Sequence, residues 1–561
     1  MKNFDADLLE KALLEGLLVN TKEVLKQWET DPYYESYDMA NEFWSKVKAA
    51  PEVAIVGDYD TDGICSVYIM GKSIQEVCPG KRIVMRIPRR FSEGYGINDK
   101  IRLELENEKH LAKGSVVITV DNGIAAGEVL EQFEKDGYVV LMTDHHELRP
   151  GCSIPKVTFA VDPAVPELSE GFNFKKWCGA AVAFKLCEHF ISEKLAKELE
   201  VFAGVATVAD CMDLKGGNWG LVRKAINAFR KGKAPASLSA MLSEMKQDPL
   251  FANEDSFGFY IGPCFNASGR LADDGASKVL KYLFAPSAQG VRELVEVNEE
   301  RRKIRDAEFE IVDKIINEEG LIGESPIWVK APNLHEGIVG ILAGKVTEKY
   351  HVPAIVVTDS KTPGVLKGSA RSYGGIDIFK YLSDMGELFE KMGGHPGAAG
   401  LSITEDNFKK ARKHHLNVTD EASKEENEWK INAKDIPFVE NFLKNYRPFG
   451  EGNPAPVFEL DIDITGKDDV FIGTPAPMYD EDGNPVLDET GSPVLGEKPH
   501  LCIRGRSDNG EAFKITHFSH NVDGQRGPDK CRLLGKISGS AYKGIETPTF
   551  NADEVIEEEI Y

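Results

Sequence analysis

Residues 53–66 read VAIVGDYDTDGICS. An apolar run, Val53–Val56, breaks into a turn that carries Asp58, Asp60 and Asp62, and Gly63 allows tight backbone geometry before a second apolar run with helical spacing. Carboxylates at alternate positions of one loop can converge on a hard cation. The start of an EF-hand calcium loop has the same spacing, but it needs a bidentate acid at position twelve. Counted from Asp58 that position is Ile69, inside the apolar run, so the EF-hand is excluded. A solvated acidic turn is the plain alternative for this segment taken alone.

Outward from this turn, short β-branched runs alternate with longer helical patterns from Val53 to about Val208, as a parallel α/β sheet requires. The predicted strands are Val53–Val56, Arg82–Ile87, Val116–Val120, Val139–Thr143 and Val157–Val161. Acids closely follow four of them, as Asp58, Asp121, Asp144 and Asp162, which gathers carboxylates at the strands' C-terminal edge, where open α/β sheets bind ligands. TDHHE adds His145 and His146, and GVATVADCMDL adds Asp210. Alone, the histidine pair reads as one ring capping a helix and one exposed. Together with acids from separate strand ends it reads as an oxygen and nitrogen ligand set that suits Mn2+ or Mg2+, and the lack of thiolates argues against structural zinc.

Residues 288–319 form a charged, Pro-free helical pattern, longer than a typical globular helix and read as an interdomain connector. A second α/β unit follows, with strands over Ile327–Lys330, Ala354–Thr358 and Val365–Ser369 and a helix over Ile338–Tyr350. Beyond an acidic linker the βα alternation gives way to short strand-like runs with Gly and Pro turns, as in an OB-like β-barrel, interrupted near 474–497 by the repeat-like DGNPVLDETGSPVL. The predicted domains are therefore 1–285 with a helical N-terminal extension, 286–320 as connector helix, 321–416, and 417–561.

A chain of 561 residues with 42% hydrophobic content has material for two or three cores. No apolar run is long enough to span a bilayer, and MKNFDADLLEKALLEGLL mixes acids into its leucines, so no membrane contact and a cytoplasmic location are expected. The nine cysteines are scattered without a CxxC pair, which suits reduced thiols. A net charge of −24 argues against indiscriminate polyanion binding, but acids cluster in 417–429, 479–497 and 553–561, which leaves room for a local nucleic-acid surface elsewhere.

From Val53 to about Ala541 the chain resembles the DHH phosphoesterases and, within them, the RecJ-type single-stranded-DNA exonucleases. The resemblance rests on GDYDTDG, RRFSEGYG, TVDNGI, TDHH, WCGAAVAFKL, ATVAD, GPCFNASGR, HEGIVGILAGKV, KGSARS and GGHPGAAG, the last similar to the hallmark of the DHH-associated domain; RPFGEGNPAPVFE resembles the entry to the family's OB-fold. The inserted repeat and Asp162 depart from the pattern. The resemblance implies one metal held mainly by Asp58 and Asp60, another by Asp62, His145 and Asp210, Asp121 bridging both, and His146 beside the scissile phosphate, with Asp121, His145 and His146 as the catalytic set. It implies substrate-phosphate contacts from Arg90, Asn266, Arg270, Ser369, Arg371 and His395. The implied reaction is hydrolysis of single-stranded DNA from the 5′ end to 5′-mononucleotides in DNA repair or recombination, by a monomer, with a single-stranded-DNA-binding protein or a helicase as partner.

Aromatic and cationic residues of the C-terminal region, Phe449, Phe458, Phe513, Phe518 and Tyr542 with Arg504, Arg506, Lys514, Arg532 and Lys536, suit base stacking and backbone contact, although barrel aromatics are mostly core. Two rival functions are an oligoribonucleotide or cyclic-dinucleotide phosphodiesterase, whose relatives need no added barrel, and a non-catalytic DNA-binding replication scaffold. The scaffold reading conflicts with the presence of all six implied metal ligands.

Overall fold

The computed structural model describes residues 2–30, 37–148, 151–416, 428–463, 470–473, 500–517, 530–542 and 544–559. A two-residue strand, β1 (Lys2–Asn3), is followed by helices Ala6–Gly16, Lys22–Thr30 and Tyr37–Ala49. Next come β2 (Glu52–Val56), β3 (Arg82–Arg86), β4 (Val116–Val120), β5 (Val139–Thr143) and β6 (Phe159–Val161), in the order β3-β2-β4-β5-β6. All four pairings are parallel. Parallel strands need crossovers that cover both faces, which is why β4 is buried along its whole length and reads as an unbroken β-branched run. On one face Ala54, Val56, Val117, Val140 and Met142 pack with Ile101, Leu130 and Phe133.

Strand order positions the site. The chain goes from β2 outward to β3 and then returns across β2 to β4, so the connections leave β2 and β4 in opposite directions. The crevice at such a reversal, outside the strands' C-terminal ends, is where doubly wound sheets bind ligands. Asp58 follows β2 and Asp121 follows β4, the two strands that flank it.

Residues 1–88, 96–262 and 426–561 form one compact unit, and 89–95 with 263–425 form another. Packing thus departs from the boundaries drawn on sequence: residues 263–285 belong with the second unit, and the C-terminal strands with the first. The second unit holds β7 (Ile327–Lys330), β8 (Ala354–Asp359), β9 (Val365–Arg371), β10 (Phe389–His395) and β11 (Ala398–Thr404), ordered β10-β11-β9-β8-β7. Only β7 and β8 run parallel. The two Gly-rich strands β10 and β11 extend what the sequence shows as three strands. The long helix Ala288–Glu318 buries Val312 and Ile316 against this unit's core and presents Leu294 to Cys264, so it is built into the unit along its length.

The C-terminal strands are β12 (Glu428–Ile431), β13 (Val457–Asp463), β14 (Val470–Gly473), β15 (His500–Arg506), β16 (Ala512–His517), β17 (Lys530–Tyr542) and β18 (Ile545–Glu559). They join β1 in an eight-stranded sheet ordered β1-β12-β13-β17-β18-β16-β15-β14. Among the described residues no pairing of β1 with β14 closes this sheet into the expected OB-like β-barrel. One core unites this sheet with the N-terminal helices through Leu9, Leu13, Trp219, Trp429, Tyr446, Phe458, Leu533 and Phe550. Phe449, Phe458 and Phe513 are buried in that core, which corrects their reading as stacking residues. Arg532 is committed to Asp461 at 2.9 Å. Phe518, the Tyr542 side chain and the 474–497 insertion lie outside the described residues. No helix among the described residues is long and apolar enough to cross a membrane.

Candidate metal centre

The turn after β2 is tight because Gly63 comes down on it: a Cβ there would lie 2.5 Å from the backbone of Asp58. Asp60 caps helix Thr61–Val77 by accepting from the Gly63 N–H at 3.1 Å, and Asp58 is buried beneath. Asp62, in the first turn of that helix, accepts from the N–H groups of Gly179 at 2.7 Å and Ala180 at 2.8 Å. These open helix Gly179–Cys187, whose N-terminus has no side-chain cap of its own, so the Asp62 carboxylate satisfies unpaired donors and the helix dipole together. Gly179 also makes room for Asp121, whose Cβ would be 2.5 Å from a Cβ at this position.

Asp121 adopts the left-handed conformation at φ +60°. That costs a non-glycine residue about 1–2 kcal/mol and persists only when its surroundings impose it. Asn122 imposes it. Its side-chain amide donates to Val56 O at 3.0 Å and Val120 O at 2.9 Å and accepts from the Ile97 N–H at 3.0 Å, clamping β2 to β4.

After β5, Asp144 organises both histidines. Its Oδ1 accepts from the His145 N–H at 2.8 Å and faces His146 Nδ1 at 2.7 Å, while Oδ2 accepts from Ile124 N–H at 2.9 Å. His145 Nε2 is thereby placed 3.0 Å from Asp121, 3.5 Å from Asp62 and 3.7 Å from Asp210. Burial and the neighbouring His146 push His145 down to about 4, which leaves a neutral imidazole able to bind a cation. Burial opposes charge on His146 too, yet its hydrogen bond to Asp144 holds it up at about 10. Burial likewise opposes the Asp144 carboxylate, but the bond to His146 keeps that carboxyl below its ordinary range.

Asp210 ends helix Glu193–Ala209. The result is three overlapping groups, Asp58–Asp60–Asp121, Asp62–His145–Asp210 and Asp121–His145–His146, each with ligand atoms within 4.8 Å of one another. Burial, then the charges of Asp62 and Asp60, push Asp121 and Asp210 well above the usual carboxylate range. So many mutually repelling carboxylates without thiolates are the donor set of a hard divalent cation, and the residues present fit Mn2+ or Mg2+. Of the four strand-end acids, Asp58 and Asp121 enter the cage. Asp144 positions histidines, and Asp162 stands in no ligand group, accepting from Ala164 N–H at 2.9 Å.

The expected phosphate residues all lie in the second unit. Ser369 and Arg371 share one face of β9; Arg371 registers with Ala398 of β11, which registers with His395 of β10. Arg371 donates to Ser369 Oγ at 2.7 Å. Gly340, in the uncapped first turn of helix Val339–Tyr350, approaches so closely that a Cβ would be 2.9 Å from Arg371 Nη2 and 3.1 Å from Ser369 Oγ. A helix N-terminus, a guanidinium and a hydroxyl thus converge on one recess, the donor set of an anion site. Asn266 and Arg270 are one turn apart on helix Gly262–Leu271, Arg270 donating to Gly337 O at 3.1 Å. Arg90 precedes Phe91 and Ser92, whose N–H groups donate to Asp273 at 2.8 and 3.1 Å. Sequence reasoning missed the parts played by Asn122, Asp144, Gly179 and Gly340; the glycines and Asn122 stood inside quoted motifs, but only their neighbours in space reveal what they do.

Two sequence families match: the DHH family, N-terminal domain, over residues 52–212, and the DHHA1 domain over 324–418. The chain is 29% identical over 440 residues to the single-stranded-DNA-specific exonuclease RecJ of Bacillus subtilis (strain 168), a match covering 76% of this chain and 54% of that protein. It is 28% identical over 446 residues to the protein of the same name from Dickeya dadantii (strain 3937), covering 72% of this chain and 74% of that one. The match therefore spans about half the length of the Bacillus relative. Among solved structures, RecJ in complex with Mn2+ from Thermus thermophilus superposes with a TM-score of 0.68 at 21% identity, covering 100% of this chain and 79% of that one, a likeness of fold.

Proposed function

We propose that this chain, with its matches to the DHH family N-terminal domain and the DHHA1 domain and its similarity to RecJ proteins, is a RecJ-type metal-dependent exonuclease that hydrolyses single-stranded DNA from the 5′ end to 5′-mononucleotides. The observation that carries this reading is the cage in which Asp121 is common to two ligand groups. Asp58 and Asp60 with Asp121 would hold one divalent cation, and Asp62, His145 and Asp210 with Asp121 the second. When bound, such a pair supplies Lewis-acid activation of water and neutralises charge on the phosphoryl oxygens.

The chain's own residues do the rest. His146, held by Asp144 through Nδ1, presents its other ring nitrogen from a half-exposed position and is suited to donate to a phosphate oxygen. Arg371, Ser369, His395 and the helix at Gly340 would grip a terminal 5′-phosphate, and Asn266, Arg270 and Arg90 further phosphates. Holding the first nucleotide by its 5′-phosphate leaves its 3′-side ester for cleavage, one nucleotide per cycle. The eight-stranded C-terminal sheet favours a polymer over oligoribonucleotides or cyclic dinucleotides. A role in DNA repair or recombination, action as a cytoplasmic monomer, and contact with a single-stranded-DNA-binding protein or helicase complete the proposal.

The test is purified protein with Mn2+ and end-labelled single-stranded DNA, single-stranded RNA and duplex DNA in parallel. Labelled mononucleotide released first from 5′-labelled single-stranded DNA is the expected result. Release from the 3′ end, or preference for RNA, would overturn it.

A further inference from the structure

We infer that the turn between Gly450 and Asn453 positions the metal ligand Asp210, so that one cation site depends on a segment from the far end of the chain; the inference rests on the two-cation reading above. The turn lies in RPFGEGNPAPVFE, a motif to which the proposed reaction gives no part. The Asp210 side chain is 28% exposed, against 1% for Asp62 and 8% for His145 in the same ligand group. Packing around the carboxylate therefore restrains Asp210 least, and its place in the group depends on its backbone.

That backbone ends helix Glu193–Ala209 in a Schellman arrangement, the Cys211 N–H donating to Val208 O and the Met212 N–H to Thr207 O, both at 3.1 Å. The residue after the cap takes the left-handed conformation, a place usually filled by glycine; here it is Cys211 at φ +54°. In a non-glycine residue this conformation persists only where the surroundings impose it. The segment that follows supplies the constraint. Asn218 Nδ2 donates to Asp213 O at 3.0 Å, and the Leu214 N–H donates to Glu451 O at 2.8 Å. Leu214 is buried beside Gly450, where a Cβ would lie 2.8 Å from Leu214 Cδ1, and a Cβ on Gly452 would lie 2.8 Å from Asp213 Oδ1. Both glycines are needed for the turn to close on residues 213 and 214.

The turn is itself braced. Gly450 and Asn453 exchange backbone hydrogen bonds at 2.9 and 3.1 Å, and the buried Asn453 side chain donates to Pro448 O at 2.7 Å. Behind it Arg447 pairs with buried Glu254, which also accepts from the Phe449 N–H at 3.1 Å, and Trp219 Nε1 donates to Tyr446 O at 3.1 Å. A rigid turn thus holds the chain four residues beyond Asp210.

The experiment is Mn2+ titration calorimetry of the metal-free full chain, with amide hydrogen exchange at Met212 as a second readout. Wild type should bind two Mn2+ ions. Gly450→Val and Gly452→Val should each weaken one site by about tenfold, the size of outer-shell effects on metal affinity, and leave the other within about twofold. Met212 exchange should quicken in both. Gly510→Val is the control: Gly510 has φ +83° in the same C-terminal sheet's β15–β16 connection, but a Cβ there meets nothing within 4 Å. It carries backbone strain without the contact and should keep both sites. If the valine proteins do not fold, Gly450→Ala and Gly452→Ala, each with one intruding carbon, should give the same pattern in milder form. The proposal falls if the variants bind both ions as wild type does, if both sites weaken together, or if Gly510→Val has the same effect. Fewer than two Mn2+ ions bound by wild type would instead overturn the two-cation reading on which the proposal stands.

Discussion

In the metal cage Asp58, Asp62 and Asp121 are each at most 2% exposed, and their carboxylates or backbones are fixed by a helix N-terminus, a buried asparagine and a left-handed backbone. Around Arg371 the side chains are half-buried or exposed, and their neighbours across the sheet are Gly393, Ala398 and Gly400. The first region crowds like charges together and restrains them. The second clears space and lines it with donors. Charge repulsion in a dry cage is relieved by a cation, whereas an open recess of donors is relieved by an anion, so the parallel sheet of one unit presents a metal-ligand set and the mixed sheet of the other presents an anion-donor set.

The largest effect should come from removing the ligand common to two groups. Asp121→Ala should lower turnover by on the order of a thousandfold or more while leaving the metal-free fold intact, because a repelling buried carboxylate is lost rather than a core contact. Turnover within a few-fold of wild type, or a collapsed Tm, would break the contrast between restrained charge and packed core.

Asp144 tests whether positioning matters as much as ligation. Asp144→Ala frees His146 and removes the acceptor of the His145 and Ile124 N–H groups, so a loss of activity of about 10- to 100-fold with weakened Mn2+ binding is expected, the size of outer-shell effects at metal sites. Wild-type Mn2+ affinity measured by calorimetry would show that the histidines position themselves.

At the recess the effect should be smaller and selective. Arg371→Ala should reduce the preference for 5′-phosphorylated over 5′-hydroxyl oligonucleotides by about tenfold and leave Mn2+ binding unchanged. Equal slowing on both substrates would mean that Arg371 serves internal phosphates or braces the sheet.

The smallest effect concerns stability alone. Burial, then the Asp144 charge, raise Asp162 to about 8. A carboxyl with its folded pKa raised binds its proton more tightly folded than unfolded, so the stability it confers is full below about pH 4 and is lost progressively up to about pH 8. Asp162→Asn should remove that slope: Tm equal to wild type near pH 4 and higher by a few °C near pH 8. A difference independent of pH would place Asp162 among the charged residues of the cage.

Truncation of the C-terminal sheet is not a clean test of DNA binding, because Leu9, Leu13 and Trp219 share its core and would be exposed.

The five parallel strands, the long helix and the acids at the strand ends were all legible in the sequence, since β-branched runs, helical spacing and the residue just after a strand are local properties of the chain. Every implied metal ligand, Asp58, Asp60, Asp62, Asp121, His145 and Asp210, is in the cage: the first five follow strands whose C-terminal ends parallel topology brings to one edge, and Asp210 ends a helix. What locality does not carry is the direction of a side chain and the identity of its distant neighbours. Asp144 looks like Asp121 in sequence, yet one turns to the histidine backbone and the other into the cage. Phe449, Phe458 and Phe513 alternate with cations as stacking residues would, yet they are buried with helices from the other end of the chain. Gly393 and Gly400 have little strand propensity of their own, yet they are strand residues, because Gly393 registers with Gly400 and Gly400 with Ser369 inside the sheet. Those outcomes belong to the tertiary structure, where long-range packing outweighs the small local preferences that a sequence displays.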